Sequence, residues 1–69
     1  MQPADFRDAL TTLLFERAKR AADARTANLK RVEFVGGVAR VVLSHEARLI
    51  LVKVALSSGD AAVAFDEAP

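Results

Sequence analysis

The chain has no cysteine, no tryptophan, no tyrosine and a single histidine, His45. Without cysteine there can be no disulfide and no thiolate metal site, and one imidazole cannot build the histidine cluster of a zinc centre. Glycine is scarce as well, three in 69 residues. The one pair, Gly36-Gly37, sits between valines and reads as a hairpin turn, not as a phosphate-cradling loop. Long apolar runs are also missing: none approaches the ~18 residues of a membrane span. Asp5, Asp8 and Glu16 interrupt the N-terminal segment, so no signal peptide is expected. The expected setting is the cytoplasm, the host's if a phage encodes the chain. Nor is there an excess of one charge. The formal net charge is +1, which implies no global attraction to polyanions.

What is present is the material of a small folded domain. Hydrophobic residues make up 52% and charged residues 28%, a globular balance. Residues 1–69 give one domain with one modest core, which buries roughly 60% of the unfolded surface. Domains of this size commonly gain stability from disulfides, a metal or a partner subunit. With the first two disfavoured by composition, association is the remaining means.

Residues 3–27 read as one long helix. Pro3 suits a first turn, and Asp5 and Asp8 complement the positive end of the helix dipole. Phe6, Ala9, Leu10, Leu13 and Leu14 recur at helical spacing and form the expected core stripe. Arg17, Lys19, Arg20 and Arg25 load the other end, and Asn28 is a plausible stop. Such a helix spans ~36 Å against ~23 Å for a seven-residue strand, so its basic end is expected to project. Phe15 falls opposite Phe6 and is read as a second contact surface.

The remainder is rich in valine and reads as strands at about 29–35, 38–43, 48–56 and 61–65. They are joined by Gly36-Gly37, a four-residue loop at 44–47 and a turn at Ser58-Gly59. These turns pair Phe34 with Ala39, Glu33 with Arg40, Val41 with Ile50 and Val52 with Phe65. All three registers then send one set to the same face: Val32, Phe34, Ala39, Val41, Ile50, Val52, Val54, Leu56, Val63 and Phe65. A slip of one residue would have inverted a strand. The expected fold is α+β, a long N-terminal helix packed on a four-stranded antiparallel meander. The alternative is helix–β-hairpin–helix, with Ser44 capping a second helix at 45–58. Ile50, Val52 and Val54 favour the strand.

Function must be sought on the second sheet face. Residues 48–56, Arg-Leu-Ile-Leu-Val-Lys-Val-Ala-Leu, are apolar on both sides of a strand, whereas a one-sided sheet would alternate. That outer face carries Leu29, Val38, Val42, Leu49 and Leu51 amid charges. Chemistry is thin: His45 and Glu46 are neighbours in a loop, and Ser57 and Ser58 lack a base. No enzyme activity, cofactor or metal is expected. The expected function is a non-enzymatic protein–protein interaction module: an oligomeric or partner-binding inhibitor, adaptor or assembly factor. Its partner-binding residues would be Phe15, Val38, Val42, Leu49 and Leu51. The last strand, unguarded until Asp66 and Glu67, could also pair with a second copy or an extended segment. A nucleic-acid-associated regulator would instead use Arg17, Lys19, Arg20, Arg25, Lys30 and Arg31, though no aromatics interleave for base stacking.

Overall fold

The computed structural model describes residues 3–67, with side chains from residue 8 onward. Helix α1 (Pro3–Ala21) precedes strands β1 (Asn28–Val35), β2 (Val38–His45), β3 (Arg48–Ala55) and β4 (Ala61–Glu67). The strands form one antiparallel sheet in the order β1-β2-β3-β4. The α+β meander is thus the fold, and residues 45–58 contain a strand where the alternative placed a helix. Helix α1 lies across β2, β3 and β4 and leaves β1 largely uncovered.

The helix is shorter than residues 3–27. Asp23 adopts a left-handed conformation, φ 54°. The Ala24 N–H donates to the Lys19 carbonyl at 2.9 Å and the Asp23 N–H to the Arg20 carbonyl at 3.2 Å. This bond pair is a Schellman cap, with aspartate where glycine is usual. The chain then turns back, and Ala24 and Ala27 of the segment that leads into β1 are buried in the core.

The helix also presents a different face. Leu14 and Ala18 are its buried residues, with Leu10, Phe15 and Ala22 half-buried against the core. Ala9 is exposed and Leu13 is 51% exposed, while the Phe6 side chain lies outside the described residues. The stripe is rotated toward Thr11, Phe15 and Ala22, spaced as one helical face. Alanines let the helix backbone approach the sheet closely, and a reading weighted to large residues undervalues them. Phe15 therefore leans onto the core and is not a solvent-side aromatic. Arg17 does not project either: its Nη1 donates to the Gly59 carbonyl at 3.3 Å, at the packed end of the helix.

In the sheet the first turn is as expected. Gly36 and Gly37 have φ of 55° and 80°, the left-handed pair of a type I′ hairpin, and Glu33 pairs with Arg40 and Phe34 with Ala39. The second turn is tighter than the expected four-residue loop. Glu46 and Ala47 alone make it, at φ 51° and 62°, and His45 pairs with Arg48 and Val41 with Val52. The third is longer than Ser58-Gly59: residues 56–60 connect the strands, Leu56 is not in a strand, and Val54 pairs with Ala61. Both registers differ from the sequence reading by two residues, which preserves the side each residue faces.

Two bulges do change sides. In β1 an extra residue at Lys30 places Leu29 opposite Leu43 and Arg31 opposite Val42, so Leu29 joins the core face instead of the outer face. In β4 an extra residue at Ala64 places Val63 opposite Val52 but Phe65 opposite Leu51, so Phe65 moves to the outer face. The core is what remains inside: Leu43, Val41, Val52 and Val54 are fully buried, with Ala39 and Ile50 beside them. Burying each large aliphatic side chain contributes roughly 1.5–3 kcal/mol.

Candidate protein-binding face

The outer face is built from cross-strand rows, because residues directly opposite in an antiparallel pair share a side. One row runs Arg31, Val42, Leu51, Phe65; the next toward the sheet end runs Asn28, Ser44, Leu49, Glu67. On the other side of the apolar row lies Glu33, Arg40, Lys53, Ala62. Leu51 is only 7% exposed although it points away from the helix. Flanked by Val42 and Phe65, it is sheltered by neighbours on its own face. Leu49 and Phe65 beside it remain 43% and 42% exposed.

The charges around this strip are unbalanced locally. Glu33 is held by Arg31, Nε to Oε1 at 3.1 Å. Arg40 and Lys53 stand directly opposite one another, a like-charge cross-strand pair that destabilises a sheet. Neither forms an ion pair among the described residues. The Arg40 Nε is buried and has no hydrogen-bond acceptor among the described residues, in a side chain that is otherwise partly exposed. An apolar strip thus borders two adjacent cations, of which Arg40 has Glu33 across from it on β1 and Lys53 has Ala62 across from it on β4.

Of the expected partner-binding residues, Val42, Leu49 and Leu51 are brought together. Val38 shares the face but lies in the row of Val35 and Ala55, beyond Arg40. Phe15 is on the far side of the sheet, with the Lys19 ammonium 4.3 Å from its ring centre. Phe65 belongs to the strip and was missed, since Val63 and Phe65 keep strict alternation and nothing local marks the bulge between them. At Leu29 a signal did exist: Leu29 and Val32 are three apart, an odd step for two residues on one face.

The six basic residues do not make one surface. Lys19, Arg20 and Arg25 line an open cleft together with Glu16 and Asp23, and Glu16 holds Lys19 at 3.0 Å. Arg17 turns to Gly59, while Arg31 lies on the outer sheet face beside Val42. His45 accepts or donates a 3.1 Å hydrogen bond at Thr26 Oγ1, tying the end of β2 to the segment before β1. Among the described residues no group of acidic or histidine side chains is arranged to hold a metal ion, and no helix is long and apolar enough to cross a membrane.

No protein-family model, curated protein or solved structure matches the chain.

Proposed function

We propose that this chain is a protein-binding module that acts by docking rather than by catalysis, in the manner of an inhibitor, adaptor or assembly factor. The docking surface is the outer sheet face. Its occupant is a protein segment presenting apolar side chains to Leu49, Leu51, Val42 and Phe65 and a carboxylate to Arg40 and Lys53. The observation that carries this reading is the juxtaposition of an apolar strip, exposed at Leu49 and Phe65, with the like-charge pair of Arg40 and Lys53. Apolar burial supplies the affinity of such a contact, and a carboxylate paired with the partly buried Arg40 guanidinium supplies its specificity.

A display library of acidic amphipathic peptides tests it. The library is panned on the wild-type chain and counter-selected on a folded Leu49→Ser, Leu51→Ser double variant. The expected result is peptides that prefer the wild type by at least about tenfold, worth some 1.4 kcal/mol, and that weaken on Arg40→Gln. Enrichment of peptides indifferent to all three positions would overturn the assignment. Binders that follow salt concentration alone would favour a nucleic-acid-like polyanion contact instead.

A further inference from the structure

The two edges of the sheet fit one another. Each edge strand carries one bulge, at Lys30 in β1 and at Ala64 in β4. The bulges fall near the same end of the sheet, one row apart, next to the row of Val42 and Leu51. Each edge is therefore one residue out of step with the regular interior strands, but the two are in step with each other. Laid antiparallel as a continuation of the sheet, β4 meets β1 of a second copy without a gap. Ala61 falls opposite Phe34, Val63 opposite Val32, and so on to Asp66 opposite Leu29 and Glu67 opposite Asn28. The core-facing residues of both strands stay on one side throughout.

Charge agrees with that register. The end of β4 carries Asp66 and Glu67, and the start of β1 carries Lys30 and Arg31. Lys30 and Glu67 form no ion pair among the described residues. Asp66 has a long contact to Arg48, 3.4 Å. Acid thus meets base across the junction, and Phe65 comes within one position of both Lys30 and Arg31, close enough for a cation to sit on its ring.

Packing agrees as well. The helix is displaced from β1 toward β4, so Phe34 on the core side of β1 is 51% exposed. On the opposite flank Leu13, Arg17 and Arg20 run along the side of the helix that faces the β3–β4 loop and the start of β4. Leu13 there is 51% exposed and Val63 41%. Continuing the sheet brings the bare inner face of one copy's β1 alongside the exposed helix flank that borders β4 of the next.

We propose that the chain self-assembles head to tail, β4 of one copy pairing with β1 of the next. The contact is heterologous: it closes into a ring if the rotation per copy permits and otherwise runs on as a filament. It uses strand edges and shares only Phe65 with the outer-face docking proposed above, which survives or fails on Leu49 and Leu51.

Two edge-blocked variants test it, since a proline removes an edge donor. Val32→Pro blocks β1 and Val63→Pro blocks β4, and circular dichroism verifies that each is folded. In analytical ultracentrifugation the wild type is expected to exceed a dimer, each variant alone to be a monomer, and their equimolar mixture to give a dimer of one copy of each. Dimerisation of Val32→Pro alone would mean β4 pairs with β4, and of Val63→Pro alone that β1 pairs with β1; either overturns the proposal. So does a wild-type monomer at high micromolar concentration, or association in both variants undiminished. Should a proline variant unfold, charge reversal replaces the pair: Lys30→Glu with Arg31→Glu, and Asp66→Lys with Glu67→Lys. Each should lose association alone and regain it on mixing, and no recovery on mixing overturns the proposal.

Discussion

The two faces of the sheet are made of the same residue types but behave differently. On the inner face Val41, Leu43, Val52 and Val54 are fully buried beneath the helix and the 22–27 segment. On the outer face Leu51 is nearly as buried with no covering element among the described residues, and Leu49, one row away, is not. Burial inside comes from a second layer, whereas burial outside comes only from neighbours along the same surface. The apolar surface that stays exposed on that side is therefore that of Leu49 and Phe65, the neighbours of Leu51.

Substitutions sharpen that contrast, and the largest effect belongs to the inner face. Leu43→Ala should destabilise the fold by roughly 2–5 kcal/mol in urea unfolding, the cost of lost transfer energy plus a cavity that two packed layers cannot close. Leu51→Ala should cost less, about 2 kcal/mol at most, because its site opens on water and leaves no enclosed void. Equal losses at the two positions would make Leu51 a core residue like Leu43 and remove the basis for a docking strip. Ala47→Gly addresses the turn that sets which of these leucines lies inside. Relief of a left-handed alanine should raise stability by about 1 kcal/mol, read as a melting-temperature increase of roughly 4–8 °C for a domain of this size. A fall instead would show that the turn carries no strain.

Much of the architecture was legible in the chain. The uninterrupted Ala/Leu/Arg/Glu run announced the helix, Gly36-Gly37 announced the first hairpin, and valine alternation announced the strands. The errors in the second and third turns were harmless to sidedness because each was an even slip. Glu46-Ala47 escaped notice because neither residue favours the positive φ it adopts, and Asp23 hid the helix end for the same reason. Of the candidate site, Val42, Leu49 and Leu51 were visible through the two-sided apolar run of β3. Phe65 was not, and Phe15 was assigned to a surface it does not occupy.

The sequence by itself determined the order of elements, the type of each and the alternation of most strands, because these depend on local φ/ψ preference and on period. Only the tertiary structure decided which side of the helix faces the sheet, where the two bulges fall and hence that Phe65 joins Leu51 outside while Leu29 goes in. Those choices minimise free energy over several elements at once. Helix rotation depends on how closely alanines let two layers approach, and a bulge depends on the strand beside it, so neither is encoded within any one segment.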